Sequence, residues 1–232
     1  MLRGVRGFVE HYGAKELLFK PLRVMLAPLI IPVLPKKTFT FDGVTLDYTY
    51  HRYNMTWACE RCIEIPIGRH YARLHHGKDI LEVGNVLSHY GPVTHDVLDK
   101  FERAPGIINE DITTFAPAKT YDLILSISTF EHLGFDYEAS PEATLGAVSA
   151  IAACRRLLNP DGIAVITVPL GYNPKLDKQV GAGTLGTDRE TYLIRVERLA
   201  WQTATKADAL ARRYGNPFPY ANAILVAEFR TC

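Results

Sequence analysis

The sequence has few cysteines and almost no excess of basic over acidic residues, and each of these two absences excludes a class of protein. Cysteine occurs four times in 232 residues, without the dense spacing of a small disulfide-linked secreted domain. Lys and Arg number 26 against 25 Asp and Glu, so the basic surplus that holds nucleic acid is missing. Apolar residues make up 47%, which excludes general disorder. We therefore expect a folded cytoplasmic protein that does not bind nucleic acid.

The sequence also lacks an uninterrupted apolar run long enough to span a membrane. The most apolar stretch, residues 24–35 (VMLAPLIIPVLP), falls short of the roughly 20 residues needed and contains three prolines. A signal peptide is not expected, because Glu10 and Glu16 precede the run and no A-x-A site follows. Two interpretations stay open. Residues 22–35 cover a ligand site or a partner subunit, which allows a homodimer, or they touch a membrane surface.

The residues before position 78 predict an extension to the main domain. The alternating segment KTFTFDGVTLDYTY predicts a hairpin that turns at Asp42-Gly43. Asn54 is expected to cap a helix over residues 55–65, which Pro66 and Gly68 interrupt. We assign residues 1–77 to this N-terminal extension and 78–232 to the core.

Two cysteines in the extension, Cys59 and Cys62, form a C-x-x-C pair. No second pair follows at the spacing of a zinc site. We interpret them as small apolar positions of a helix.

From Lys78 onward, short apolar strands alternate with a segment of helical spacing. Continuous apolar strands of this kind are typical of a parallel sheet covered on both faces, so we predict a doubly wound, Rossmann-like α/β fold. A turn is expected at residues 159–162 and a mobile loop over 181–192. The predicted strands are DILEVGN, PVTHDVLDKFE, YDLILSIS, GIAVITVP and ANAILVAEF, and the helix is ATLGAVSAIAACRRLL.

Acidic and polar residues follow these strands, at the sheet edge where such folds bind ligands. The first strand ends in Glu82, Gly84 and Asn85, and the second in Asp99, seventeen residues after Glu82. An acid near this spacing binds ribose hydroxyls in dinucleotide folds. The other candidates are Asp111, in the acidic turn after the second strand, and Ser128, Glu131 and His132 at the end of the third.

The glycine pattern indicates which nucleotide fits. A pyrophosphate needs G-x-G-x-x-G, but Val86 occupies the second glycine position and the next glycine is Gly91. NAD is therefore disfavoured. S-adenosylmethionine carries an adenosine without phosphate, and the acids above supply acceptors for its ribose, amine and ammonium groups.

The segment from Lys78 to Phe229 resembles the class I S-adenosylmethionine-dependent methyltransferases. LEVGN is similar to the first motif of that family, with Val86 and Ser88 departing from its glycines, and YDLILSISTFEHLG and LLNPDGIAVITVP are similar to later motifs. The resemblance implies that S-adenosylmethionine is the methyl donor. It places Glu82, Gly84, Asn85 and Ser128 around the donor, Asp99 on the ribose and Asp111 on the adenine amine.

A closer resemblance links EVGNVLSHYG, STFEHLG, VPLGYNP and PFPYANAILVAEF to the sugar O-methyltransferases of methylmannose-polysaccharide biosynthesis. It implies methyl transfer to a hydroxyl of a short mannoside. The alternative is a non-catalytic module that keeps the fold and docks a partner through residues 1–40.

A sugar hydroxyl needs a base to remove its proton, and we expect His132 to be that base. Glu131 either orients His132 or binds the methionine end of the donor. Tyr172 and Asn173 at the same sheet edge, and the aromatic Tyr53, are candidates for the acceptor pocket, although Gly-Tyr-Asn-Pro also makes an ordinary turn.

Magnesium would be an additional cofactor only if carboxylates gathered around it. Asp96, Asp99 and Asp136 are the candidates, but their spacing does not favour a metal site.

Overall fold

The computed structural model describes residues 14–135 and 146–231, with the side chains of residues 14–20 left out. Along this part of the chain the helices and strands follow in the order α1 Ala14–Ile30, β1 Thr38–Phe41, β2 Val44–Asp47, α2 Arg61–Leu74, β3 Ile80–Val83, β4 Asp96–Leu98, β5 Ile107–Ile108, β6 Tyr121–Ile127, α3 Gly146–Leu157, β7 Leu158–Pro169, α4 Pro174–Ala182, β8 Arg189–Glu197, β9 Ala200–Ala204, α5 Lys206–Leu210 and β10 Ala223–Arg230. Short 3-10 helices cover Ile31–Val33, Tyr53–Met55, Leu87–Tyr90 and Phe130–His132.

An eight-stranded sheet with the order β5-β4-β3-β6-β7-β10-β8-β9 forms the centre of the fold. Strand β3 pairs in parallel with β4 and β6, and β4–β5 and β6–β7 are also parallel. The chain thus moves outward in one direction from β3 to β5 and in the other from β6 to β7, as in the Rossmann order. The prediction of an α/β fold with a mostly parallel sheet is confirmed. Its switch point lies between β3 and β6.

The apolar strands are buried because both faces of this sheet are covered. Leu81, Leu123, Ile124 and Leu125 have almost no exposed surface. Burial of each such side chain stabilises the fold by roughly 1.5–3 kcal/mol. The strands that position the candidate site are therefore rigid supports.

The chain divides into two compact units. The first takes the chain up to Pro66 together with Pro169–Tyr172 and Tyr192–Ile224. The second takes Ile67–Val168, Asn173–Thr191 and Leu225–Cys232. The first unit thus includes, besides the N-terminal residues, two segments that come much later in the sequence. The boundary at residue 78 stays a prediction.

The helix expected over residues 55–65 is wrong in both of its limits. The observed helix, α2, starts at Arg61 and continues through Pro66 to Leu74. Proline has no N–H for the carbonyl of Cys62, and that carbonyl instead accepts the N–H of Thr49 at 2.9 Å. Asn54 does not cap a helix and adopts a left-handed conformation with φ 46°.

Three further predictions need correction. The second strand is shorter than expected, since Pro92 has no N–H and Asp99 bonds the backbone N–H groups that follow it. The turn at residues 159–162 is an irregularity inside β7, where the pairing jumps from Tyr121–Leu158 to Leu123–Ile163. The loop over 181–192 shrinks to 183–188, because α4 and β8 take its ends.

The hairpin is confirmed, with β1 and β2 antiparallel around Asp42-Gly43. Helix α1 packs Ala27 against a cluster that contains Trp57 and Tyr220. On another face, Leu22, Met25, Leu29 and Val33 are exposed and follow one another at helical spacing. We call these four residues the α1 stripe. Within the described part of the chain, no helix is both long and apolar enough to cross a membrane.

Candidate functional site

Glu82 holds the turn that follows β3. Its side chain has no exposed surface, and Oε1 accepts the backbone N–H groups of Val86 and Leu87 at 2.9 and 2.7 Å. Oε2 lies 2.8 Å from Nε2 of His95. Both carboxylate oxygens are therefore engaged inside the protein. Glu82 thus shapes the loop at the switch point, and its part in binding the donor stays a prediction.

Gly84 sits where no larger residue fits. Its φ is +86°, and a Cβ atom there would collide with the side chain of Thr129, just after β6. A glycine is required both by the backbone conformation and by this close approach. The ends of β3 and β6 are thereby brought into contact at the switch point.

Asp99 ties the end of β4 to the same turn. Oδ2 accepts the N–H of Asn85 at 3.0 Å, and Oδ1 accepts the N–H groups of Phe101 and Glu102, both at 2.8 Å. Backbone N–H groups that converge on a carboxylate fix its position. Asn85 and Asp99, at the ends of neighbouring strands, are thus joined by a direct hydrogen bond.

Sequence reasoning missed Glu102. Its Oε1 accepts Nδ2 of Asn85 at 2.8 Å, and its Oε2 lies 3.3 Å from Nε2 of His89. The side chain is 37% exposed, so a ligand has more access to it than to the oxygens of Asp99, which hold backbone N–H groups. A signal was present, because Glu102 stands twenty residues after Glu82, near the spacing of ribose-binding acids.

Asp111 stands in the turn after β5. Its Oδ1 accepts the N–H and the hydroxyl of Thr113 at 2.8 and 2.7 Å, and Oδ2 lies 3.0 Å from Nζ of Lys100. Partial burial by itself would raise the pKa of Asp111, but the Thr113 hydrogen bonds and the Lys100 ammonium together hold it below its ordinary value. Asp111 is therefore a carboxylate at neutral pH.

The end of β6 carries the remaining candidates. Ser128 adopts a left-handed φ of 42°, which is unusual for a residue with a side chain, and its N–H donates to the carbonyl of Thr167 in β7. Glu131 is buried in the 3-10 helix that follows, and Oε1 lies 3.4 Å from Nε2 of His132. The His132 side chain is 32% exposed. A buried carboxylate and an accessible imidazole thus lie side by side.

Asn173 has a structural role that was not predicted. Its Oδ1 accepts the N–H groups of Lys175 and Leu176, which caps α4, and its Nδ2 donates to the carbonyl of Glu131 at 2.8 Å. The side chain thereby fixes the turn that carries Glu131 and His132. The signal was an N-cap asparagine followed by proline at the first helical position.

The two tyrosine candidates belong to the first compact unit. Tyr172 packs edge-on against Tyr214, with ring centroids 5.4 Å apart. Tyr53 starts a 3-10 helix and is 43% exposed. Their place in an acceptor pocket stays a prediction.

Two of the candidate metal ligands, Asp96 and Asp99, lie among the described residues. Among the described residues, no group of three His, Cys, Asp or Glu side chains is arranged to hold a metal ion. Asp96 bonds Lys119 and Tyr121. Asp99 accepts backbone N–H groups, as described above, and Asp136 lies outside the described residues.

The C-x-x-C cysteines are free and fully buried. Burial raises the pKa of Cys62 to about 12 and that of Cys59 well above its ordinary value. Both are therefore thiols at neutral pH. This agrees with the interpretation of the pair as apolar positions, although Cys59 precedes the helix that contains Cys62.

No protein-family model and no curated protein matches the chain. Among solved structures it is similar to a TehB-like S-adenosylmethionine-dependent methyltransferase from Corynebacterium glutamicum, with 20% identity, a TM-score of 0.42, and coverage of 71% of this chain and 86% of the other. It is also similar to the N-methyltransferase NodS from Bradyrhizobium japonicum, in complex with S-adenosylhomocysteine, with 15% identity and a TM-score of 0.42. That match covers 71% of this chain and 85% of NodS. A third similar structure is the 1,6-didemethyltoxoflavin-N1-methyltransferase from Burkholderia thailandensis, with 13% identity and a TM-score of 0.44. That match covers 84% of this chain and 99% of the other. The reactions named are those of these proteins.

Proposed function

We propose that the chain is an S-adenosylmethionine-dependent O-methyltransferase that acts on a hydroxyl of a small acceptor, a sugar such as a short mannoside. The observation that carries this proposal is the Asn85–Asp99 hydrogen bond at the switch point of the sheet. It fixes two strand ends where such folds bind adenosine. Gly84 lets the Thr129 side chain at the end of β6 approach the loop after β3, which keeps these two strand ends together.

The residues at this edge fit the parts of the donor. Asp99 and Glu102 offer carboxylate oxygens to the ribose hydroxyls, and Asp111 offers one to the adenine amine. Gly84, Asn85 and Ser128 would line the donor, while Glu82 acts indirectly by holding the loop. When bound, S-adenosylmethionine supplies a methyl group already activated by its positive sulfur.

His132 has the accessibility that a general base needs. It removes the proton of the acceptor hydroxyl, and Glu131 Oε1 on the neighbouring residue stabilises the imidazolium that results. Asn173 keeps this pair in place through its bond to the carbonyl of Glu131. The base contributes roughly 10²–10⁴-fold to the rate.

Titration calorimetry with S-adenosylmethionine and S-adenosylhomocysteine tests the donor site. We expect saturable binding that Asp99→Ala weakens and that Asp161→Ala, a change at an exposed acid outside the site, leaves intact. Absence of binding to the intact chain overturns the proposal. Incubation with labelled donor and a panel of short glycans, followed by mass mapping of the product, then tests the acceptor.

The same experiments separate the enzyme from a non-catalytic module. A module that binds the donor gives calorimetric heat but no labelled product with any acceptor. An enzyme that acts on amines labels an amino sugar and leaves the neutral glycan unlabelled.

We further propose that the N-terminal segment contacts a second copy of the chain. The α1 stripe supports this, since exposed apolar patches mark interfaces. Light scattering tests it, with a dimer expected for the native chain and a monomer for the double variant Met25→Glu, Leu29→Glu. Val44→Glu, at another exposed apolar residue, is the control. A native monomer that sediments with lipid vesicles would instead support membrane contact.

A further inference from the structure

A cavity of about 550 Å³ opens beside the residues that lead into β3 and β4. Its walls are the last turns of α2, the residues that lead into β3, and the segment 91–95 that leads into β4. The volume is in the range of small-molecule sites. All the residues that line it belong to the second compact unit.

The cavity exists because the β3–β4 connection is short. Parallel strands are usually joined by a crossover that lays an α-helix on the sheet. Here residues 84–95 contain only the 3-10 helix Leu87–Tyr90. No described residue therefore fills the space beside α2 that a crossover helix would take.

Basic side chains dominate the lining. Arg69 and Arg73 project from one face of α2, Lys78 precedes β3, and His76 and His95 complete the set. Within the part of the chain that the structure describes, no Asp or Glu lines the cavity. The cations outweigh the partial charge of about −0.5 at the C-terminus of α2. The field in the cavity attracts anions.

Two nearby acids reach the lining: Glu82 pairs with His95 at 2.8 Å, and Asp122 interacts electrostatically with Lys78. Two others bind a lysine outside the lining. Asp79 and Asp96, the next residues after Lys78 and His95, both hold Nζ of Lys119, at 2.8 and 3.0 Å. Among the ion pairs of the described residues, none involves Arg73 or Lys78.

One arginine is already oriented for an incoming group. Nη2 of Arg69 donates to the carbonyl of Tyr90 at 2.7 Å, which holds the guanidinium across the cavity from α2 to the short connection. An arginine fork binds phosphate oxygens in pairs, and a neighbouring lysine adds a point charge. The polar side of the cavity matches a phosphate group.

The opposite side of the cavity is apolar. Ile80 and Leu87 are buried and Val93 is half-buried, and all three line the space. Inorganic phosphate would leave this surface unused. A ligand with an apolar or ring-shaped body would pack against this apolar surface and remove the surface from water.

We propose that this cavity binds a small organic phosphate, with the phosphate held by Arg69, Arg73 and Lys78 and the carbon body against Ile80, Leu87 and Val93. The inference does not depend on the proposed methyl transfer, since it uses none of the same residues.

Titration calorimetry of the full chain with phenyl phosphate tests the site, at constant ionic strength because salt screens surface charges. Phenol and inorganic phosphate are the probes for each half alone. We expect saturable binding of phenyl phosphate, binding of inorganic phosphate that is weaker by about tenfold or more, and none of phenol. Equal affinity for phenyl and inorganic phosphate overturns the organic part of the proposal.

The double variant Arg73→Gln, Lys78→Gln should weaken phenyl phosphate by about tenfold or more, since it removes two charge-assisted contacts. Ala72→Glu, which puts a negative charge on the same face of α2, should abolish binding. Lys178→Gln is the control, because it removes an exposed cation of the same unit outside the cavity. Unchanged affinity in both cavity variants overturns the proposal.

A final arm separates this site from the donor site. Phenyl phosphate should bind with the same affinity when S-adenosylhomocysteine is present in excess. Displacement by S-adenosylhomocysteine would place the phosphate probe in the donor site and overturn the cavity proposal. Failure of S-adenosylhomocysteine to bind at all would overturn the proposed function and leave the cavity result standing.

Discussion

Oε2 of Glu82 and Nε2 of His95 lie 2.8 Å apart, and Glu82 has no exposed surface. The other oxygen of Glu82 holds two backbone N–H groups of the loop after β3. One buried carboxylate therefore joins the candidate donor loop to the wall of the basic cavity. These contacts of Glu82 fix the conformation of the loop that follows the motif LEVGN.

Glu82→Ala should lower both stability and donor affinity. Two buried N–H groups lose their acceptor at about 1–3 kcal/mol each, so we expect the free energy of unfolding to fall by about 3 kcal/mol. Urea unfolding measures the first effect, and calorimetry with S-adenosylhomocysteine the second. Glu82→Gln keeps one side-chain oxygen as an acceptor, so it should lower stability and donor affinity less than Glu82→Ala does. A Glu82→Ala variant with native donor affinity would contradict the role given to the loop.

His132→Ala should remove most of the turnover and leave donor binding unchanged. The side chain acts on the acceptor, so kcat should fall by roughly 10²–10⁴-fold while the Kd for S-adenosylhomocysteine stays the same. Steady-state kinetics and calorimetry measure the two quantities. Added imidazole should restore part of the rate. Full turnover in the variant would exclude His132 as the base.

Gly146→Ala should displace the turn that carries Glu131 and His132, although Gly146 is not part of that turn. A Cβ at the start of α3 would lie 2.7 Å from the carbonyl carbon and oxygen of Leu133 and 2.9 Å from N of Gly134, so the turn after His132 has to move. A displacement near 1 Å costs about 10²-fold in rate.

Gly183→Ala is the matched control for this change. Gly183 has φ +67° but open space around it, so we expect a loss of about 1 kcal/mol in stability and native turnover. Equal turnover in the two glycine variants would show that the contact with Leu133 does not position the site.

Asp111→Asn should reduce stability at neutral pH, with a difference that fades in acid. The pKa of Asp111 is lowered in the folded protein, so its contribution is present above the unfolded pKa and is lost as pH falls through the folded value. Urea unfolding at several pH values should show wild type and variant converging below the ordinary value of 3.8. Asp161→Asn serves as the exposed control. A gap that widens in acid would contradict the ion pair with Lys100.

Arg195→Met should destabilise the first unit strongly. The guanidinium is 2% exposed and donates to the carbonyls of Ala58, Pro219 and Arg198 at 3.0–3.1 Å. The buried carbonyl of Ala58 and the two part-buried carbonyls would lose their donor, so we expect a loss of about 3 kcal/mol in urea unfolding. Arg198→Met removes an exposed arginine nearby and should change little. Equal effects of the two changes would argue against the buried contacts.

The parallel core was predictable because burial on both faces forces each strand to be apolar. Leu81, Ile124 and Ile166 are buried for this reason, and their runs are plain in the sequence. Helix α2 was not predictable in the same way, since its passage through Pro66 depends on Thr49, which lies far back in the chain. A tertiary hydrogen bond that overrides a local breaker leaves no local signal.

The positions of the acids at the candidate site were easier to predict from the sequence than the contacts that hold the site together. Asp99 and Asp111 follow strands, and the position of a strand end is visible in the sequence. The contact between Gly84 and Thr129 was not, because it joins residues brought together by the pairing of β3 with β6. The N-cap role of Asn173 was missed although its place before Pro174 signalled it, and its bond to Glu131 is visible only in the folded structure.

The first unit is assembled from segments that the ribosome delivers at very different times. Its last segment ends at Ile224, almost the whole chain after its first helix. Until then the partner of Ala58, the guanidinium of Arg195, and the ring of Tyr220 that packs near Trp57 have yet to be synthesised or have only just emerged. This unit therefore completes its core only after Ile224 has been synthesised, and until then the α1 stripe lies beside an incomplete core in a nascent chain that chaperones can bind.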